Sequence, residues 1–223
     1  MDVKNFVRNY ALTCYVFDGN PEDQLIARLI HKYMHGRRVL DLGCGPVASV
    51  LALFFPDAEK VVAVDRLKEN LDFARNNKSE LEGIMKRALL YKHCYLSRKD
   101  SDPRIKLLLG DVTKRLNIGQ FDSVMQIGCF GALDTEEQFQ SAIDNAYNYL
   151  KPGGTLLMVN WLDEKAKVKR PFHFNGKVKM LELYKPSMKK AGFNIKEIHT
   201  TSKLSTETRK MGYNRIIWSV ARK

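Results

Sequence analysis

Residues 39–46, Val39-Leu40-Asp41-Leu42-Gly43-Cys44-Gly45-Pro46, run an apolar strand into a Gly-x-Gly turn, and a second apolar run, Val61-Val62-Ala63-Val64, ends on Asp65. A turn without Cβ atoms lets a ligand lie against the backbone. A carboxylate at the end of the neighbouring strand, about 20 residues on, accepts from both hydroxyls of a ribose. The pair points to a ligand that contains a nucleoside. The third glycine of a dinucleotide fingerprint is absent, as is the Gly-Lys-Ser/Thr of a P-loop, and Pro46-Val47-Ala48-Ser49 stands in their place. Nothing in this turn is built to cradle a phosphate.

Working outward, residues 4–16 read as an amphipathic helix with Phe6, Val7, Tyr10 and Ala11 on one side, placed to act as a lid. Asn20 is a candidate cap, Pro21 suits the first helical position, and Glu22 and Asp23 complement the dipole of a helix reaching about His35. Leu25, Ile26, Leu29 and Ile30 form its apolar stripe. The first strand is expected at Arg38 to Leu42, a helix at Val47 to Phe55, and the second strand at Val61 to Val64. A long helical stretch starts near Leu67 and breaks around Asn76-Asn77. Further strands are expected at Ile105 to Leu109, Phe121 to Ile127 and Thr155 to Asn160, and further helices at Glu136 to Leu150 and Lys179 to Ala191. Between them, Lys151-Pro152-Gly153-Gly154 reverses the chain, and a lysine-rich connection follows Asp163. Phe193 to Thr200 and Tyr213 to Ala221 read as a closing antiparallel pair. Strand-helix alternation followed by two strands predicts a parallel sheet with an antiparallel edge.

The chain of 223 residues suits one domain spanning 1–223, with a lid at about 1–20 and a substrate-side insert at about 163–178. Hydrophobic residues make up 44% and charged residues 28%, an ordinary soluble composition, and no stretch approaches the roughly 20 apolar residues of a membrane span. No apolar signal core opens the chain, so a cytoplasmic location and no membrane association are expected. Cys14, Cys44, Cys94 and Cys129 form no Cys-x-x-Cys pair and read as reduced thiols; with five scattered histidines they predict no metal site. The balance of 37 basic against 25 acidic residues, +12, suits either a lysine-rich solvated surface or an anionic partner such as RNA. The basic clusters, Lys165 to Arg170 among them, are not interleaved with stacking aromatics.

Four segments in order carry a specific likeness: the glycine turn, Asp65, Leu109-Gly110-Asp111-Val112, and Tyr149-Leu150-Lys151-Pro152-Gly153-Gly154. The central domain resembles class I S-adenosylmethionine-dependent methyltransferases. That resemblance implies a Rossmann-like seven-stranded α/β sheet, mostly parallel with one antiparallel strand and with helices on both faces, and S-adenosyl-L-methionine as cofactor. Tyr10, Gly43-Cys44-Gly45-Pro46, Asp65 with Asn70, Asp111-Val112-Thr113 and the closing Ser219-Val220-Ala221-Arg222-Lys223 are similar to the nicotinamide, phenylethanolamine and indolethylamine N-methyltransferase family. The likeness implies cofactor contacts from Tyr10, Asp41, Gly43, Cys44, Gly45, Asp65, Arg66, Asn70, Asp111, Val112, Ile127 and Gly128. Asp41 would meet the amino group, Asp65 the ribose, and Asp111 with the Val112 backbone the adenine. Tyr10, Cys129, Asn160 and Asp163 would border the methyl acceptor.

Methyl transfer from a sulfonium is an in-line displacement in which the sulfur leaves neutral, so alignment and exclusion of water do most of the work. A dedicated base is optional, and no catalytic residue is singled out. Amine-recognising members of the family place an acid at the end of the fifth strand, where this chain has Asn160; an amide cannot neutralise an ammonium, so Asp163 substitutes for it or the acceptor is neutral. The sequence supports a small nitrogen-containing acceptor first. An RNA or protein methyltransferase using the basic surface comes second, although Val124-Met125-Gln126-Ile127-Gly128 lacks an Asn/Asp-Pro-Pro-aromatic box. A non-catalytic cofactor-binding partner protein comes third. Oligomeric state is not legible.

Overall fold

The glycine turn and Asp65 are carried by two neighbouring interior strands, β1 (Arg38–Leu42) and β2 (Lys60–Asp65), whose aliphatic runs are buried on both sides, as interior parallel strands require. The computed structural model describes residues 20–48, 55, 58–81, 104–162 and 180–223. The expected lid with Tyr10, most of the 47–55 helix, the 82–103 stretch and the insert with Asp163 lie outside the described residues.

The chain enters through α1 (Pro21–Tyr33), passes β1 and β2, then α2 (Lys68–Asn76), β3 (Ile105–Leu109) and β4 (Phe121–Ile127). A 3-10 turn at Phe130–Ala132 leads to α3 (Glu136–Tyr149), β5 (Leu150–Leu162), α4 (Met180–Ala191), β6 (Asn194–Thr201), α5 (Thr206–Lys210) and β7 (Arg215–Arg222). The seven strands lie in the order β3-β2-β1-β4-β5-β7-β6. β1 to β5 pair in parallel, and β7 is antiparallel to both of its neighbours. One face carries α3 and α4 through Phe139, Ile143, Tyr184 and Met188; the other carries α1 and α2 through Ile26, Leu29, Ile30, Leu71 and Ala74.

Three features differ from expectation. The antiparallel strand is β7, and it lies inside the sheet, with β6 at the edge. Both faces of Arg215–Arg222 are apolar, whereas Asn194–Thr201 alternates with polar residues and suits an edge. Second, β5 begins at Leu150, directly after α3: Leu150 pairs with Phe121, the register shifts, and Gly153 at φ +76° donates its N–H to the Lys223 carbonyl at 3.0 Å. The Pro-Gly-Gly segment is thus a distortion within a strand docked on residue 223. Third, Asn20 precedes α1 without a side-chain cap bond, and Glu22 does more than complement the dipole. It is buried and accepts from the Ser205 N–H at 2.9 Å and from the Ser205 and Thr208 hydroxyls. Burial pushes the Glu22 carboxyl up, but those donors outweigh it and hold it below its usual range. This tie fixes the 202–214 connection over the N-terminus of α1.

Candidate functional site

The order in which strands are added to the sheet reverses at β1, with β2 on one side and β4 on the other, both parallel to it; ligands of open α/β sheets bind in the crevice outside the carboxyl ends of such strands. There the chain leaves β1 through Gly43 at φ +75° and Gly45 at φ +63°. Gly43 and Cys44 both donate to the Val64 carbonyl, at 2.7 and 3.0 Å, so the turn is locked to the end of β2. A Cβ on Gly43 would overlap the Cys129 side chain, which packs against the bare Cα from β4's end. The residues here fit a ligand laid flat on the main chain. Residues 45–48 continue as a 3-10 turn.

Asp65 closes this turn from below. Its Oδ2 accepts from Gly45 N–H at 2.8 Å, and its Oδ1 from Leu67 N–H at 2.8 Å and the Asn70 amide at 3.2 Å. A carboxylate offers about four lone-pair sites. Three are taken, and one remains. Arg66, beside it, is exposed.

Asp41, buried in β1, has no ion pair or side-chain hydrogen bond among the described residues. Burial, and then the charge of Asp65, push its carboxyl up to about 8. The same burial, with the two carboxylates, raises the Cys44 and Cys129 thiols, so both are neutral packing groups rather than nucleophiles.

The next wall follows β3. Asp111 Oδ1 accepts from the Thr113 N–H and hydroxyl at 2.9 and 2.7 Å, which leaves Oδ2 for a ligand. Burial raises its carboxyl, but the Thr113 donors and the charges of Lys114 and Arg66 prevail and keep it ionised below the usual range. Two residues of α3 with no such role in the sequence analysis brace this loop: Asn145 donates to the Val112 carbonyl at 3.0 Å, and the Tyr149 hydroxyl accepts from Leu116 N–H at 2.6 Å. Their signal was available. Both sit on the core face of an amphipathic helix, and a polar group there needs a partner.

On the acceptor side, Ile127 ends β4, and Gly128, at φ +80°, donates to the Val159 carbonyl at 2.7 Å. A Cβ on Gly128 would stand 3.2 Å from the Trp161 ring. Asn160 does not open to this cleft. It is fully buried, accepting from Gly131 N–H at 2.9 Å and donating to the Tyr184 hydroxyl. Gln126, equally buried, accepts from Phe130 N–H at 3.0 Å. These two amides hold the 128–133 segment in place from beneath, a role that strand alternation conceals: Asn160 sits on the α3/α4 face and Trp161 on the other.

The sheet order, the glycine turn and the acid at the end of β2 together define a class I S-adenosylmethionine-dependent methyltransferase domain. The family model described as "Methyltransferase domain" matches residues 34–200, and the chain belongs to that family. It is 27% identical over 124 residues to the tRNA N(3)-methylcytidine methyltransferase trm140 of Schizosaccharomyces pombe, covering 54% of this chain and 35% of that protein, so the chain spans about a third of that relative's length. The fold is similar to the N-methyltransferase NodS of Bradyrhizobium japonicum WM9, solved with S-adenosyl-l-homocysteine, at TM-score 0.67 and 15% identity over 100% of this chain and 99% of that one. It is also similar to the [4+2]-cyclase SpnF, at TM-score 0.63 and 17% identity over 90% of this chain and 80% of that one. The last pair shows one architecture carrying different chemistries. No helix among the described residues is long and apolar enough to cross a membrane.

Proposed function

We propose that this chain transfers the methyl group of S-adenosylmethionine to nitrogen of a small nitrogen-containing molecule. One observation carries the cofactor assignment: the Asp65 carboxylate is bonded to Gly45 N–H, so the acid and the glycine turn form one site. Gly43 and Gly45 admit the methionyl part. Asp65 takes a ribose hydroxyl with its remaining lone pair, and Asn70 turns its amide from Asp65 to the sugar to release a second. Asp111 Oδ2 accepts from the adenine amine. The cofactor supplies a methyl carbon bound to a positively charged sulfur, and the acceptor supplies the electron pair. The acceptor nitrogen gains the bond to carbon while the electrons of the carbon–sulfur bond return to sulfur. Ile127 and Gly128 border that path, and the absence of a side chain at 128 leaves room for the Trp161 ring beside it. A small acceptor is supported by the resemblance to the amine and nicotinamide N-methyltransferases, and transfer to nitrogen by the likeness to the N-methyltransferase NodS. The test is calorimetric binding of S-adenosylhomocysteine followed by transfer of labelled methyl to a panel of small amines and heterocycles. Binding with transfer supports the reading; binding with no transfer across the panel rejects the acceptor class.

A second reading, methylation of a base in RNA, is favoured by the trm140 match and the net charge of +12. Its signature is transfer to a cytidine-bearing stem-loop with affinity falling steeply as salt rises.

Asp41 makes cofactor binding pH-dependent. Below about 8 its carboxyl holds a proton, and the cofactor's ammonium favours the ionised form, so binding expels that proton. Affinity for S-adenosylhomocysteine is expected to rise with pH, by up to about tenfold per unit between pH 6 and 8, and then to level off. Asp41→Asn should flatten the profile. Because the folded chain holds one more proton than the unfolded chain between about pH 4 and 8, its own stability falls as pH rises through that window, and Asp41→Asn should raise the melting temperature of the ligand-free protein at pH 8.

A further inference from the structure

The acceptor side of the cleft has an aromatic wall. Trp161 lies on the sheet face shared with Ile127, Cys44 and α1, with its Cζ3 and Cε3 atoms 3.2 and 3.5 Å from where a Cβ on Gly128 would stand. Tyr213, from the connection pinned by Glu22, sets its ring centroid 6.5 Å from that of Trp161 at 52°. Both rings are only half-buried, whereas the core aromatics Phe121, Phe130 and Phe139 are fully covered. The Trp161 indole N–H makes no hydrogen bond among the described residues. Two polar side chains near this strand end are already committed: Asn160 is turned into the core, and the Glu22 carboxylate is used by Ser205 and Thr208.

We propose that Trp161, with Tyr213, is the platform for the methyl acceptor, and that the acceptor is a planar nitrogen heterocycle, either free or as a nucleobase. The proposal rests on the methyltransferase reading and names its substrate chemistry. A flat ring stacks on an exposed aromatic face without needing a charge partner. A ring nitrogen of the pyridine type carries its lone pair in the ring plane, so a base stacked on Trp161 points that pair across Gly128 along the line of attack. The nitrogen forms the bond to the methyl carbon as the carbon–sulfur bond breaks toward sulfur. No proton has to leave first, and the positive charge passes from sulfur to the heterocycle. This chemistry suits a strand end whose amide, Asn160, cannot serve an ammonium.

The test uses the full chain saturated with S-adenosylhomocysteine, isoquinoline as flat probe and piperidine as aliphatic probe, with affinities from ligand-observed NMR. Isoquinoline is expected to bind and piperidine not. Trp161→Leu should weaken isoquinoline by about five- to a hundredfold, the range of one lost stacking contact, with S-adenosylhomocysteine affinity unchanged. Trp161→Phe should restore binding to within a few-fold, and in transfer assays Trp161→Leu should raise KM far more than it lowers kcat. Should Trp161→Leu fail to fold, Tyr213→Leu set against Trp161→Phe makes the same comparison. Salt-insensitive transfer to a free heterocycle identifies a metabolite. Transfer confined to a cytidine stem-loop, weakening with salt, identifies a nucleobase; both support the platform if Trp161→Leu impairs them. Equal binding of the two probes, or indifference of isoquinoline to Trp161→Leu, overturns the platform while leaving the methyltransferase reading intact. Failure of the unmodified chain to bind S-adenosylhomocysteine overturns both.

Discussion

Asp65→Ala should lower S-adenosylhomocysteine affinity by at least about a hundredfold, because each hydrogen bond to a charged acceptor contributes about 1.5–3 kcal/mol and the ribose offers two. The variant also loses the carboxylate that now receives Gly45 N–H, Leu67 N–H and the Asn70 amide. Leaving the buried Gly45 N–H unpaired costs about 1–3 kcal/mol, partly offset by relief of the repulsion that raises the Asp41 carboxyl. A melting point lower by roughly 2–12 °C follows for a chain of this size, the offset drawing it toward the lower end. Asp65→Asn gives little rescue, since one of the two backbone N–H groups then faces an amide nitrogen. Calorimetry and thermal unfolding measure both effects. Affinity within a few-fold of the parent would remove Asp65 from the binding site.

Gly43→Ala carries the largest expected cost to the fold. Left-handed backbone disfavours an L side chain by about 1–2 kcal/mol, and φ here is +75°. The new methyl also overlaps Cys129, and the turn cannot shift away because Gly43 and Cys44 are both tied to Val64. Overpacking of that kind adds about 1–3 kcal/mol. The combined loss, about 2–5 kcal/mol, corresponds to a melting point lower by roughly 4–20 °C and to loss of cofactor binding. The double variant Gly43→Ala/Cys129→Gly should recover the steric share and leave the backbone share. A double variant no better than Gly43→Ala would show that crowding against Cys129 is not the cause.

Local pattern carried most of the architecture. Arg38–Leu42, Ile105–Leu109 and Phe121–Ile127 were readable to the residue because their apolar runs are bounded by charged, amide or glycine residues, and the break at Asn77 falls where a polar pair interrupts the helix. Asp65 and Gly45 were readable as a pair because their spacing reflects one strand-turn-strand unit. What escaped was set by contacts distant in sequence. The order of the last two strands depends on which has two apolar faces, a comparison that a hairpin reading never makes. Asn160 reads as a border of the acceptor, but its side chain is turned into the core by Gly131 and Tyr184, partners 29 and 24 residues away. Glu22 looked like a dipole residue because Ser205 and Thr208 lie 183 and 186 residues further on.

The interior position of β7 also orders events during synthesis. β6 leaves the ribosome before β7, yet its only neighbour in the sheet is β7, so it has nothing to pair with until residues 215–222 have been made. Until then β5 presents a raw flank to the surroundings, and the half-built molecule is exposed to wrong partners for the roughly 3–12 s that translation from residue 163 to residue 222 takes, at about 5–20 residues per second. β7 is a keystone: translation arrested short of it would leave a nascent product that calls on chaperones, even with the cofactor turn already formed.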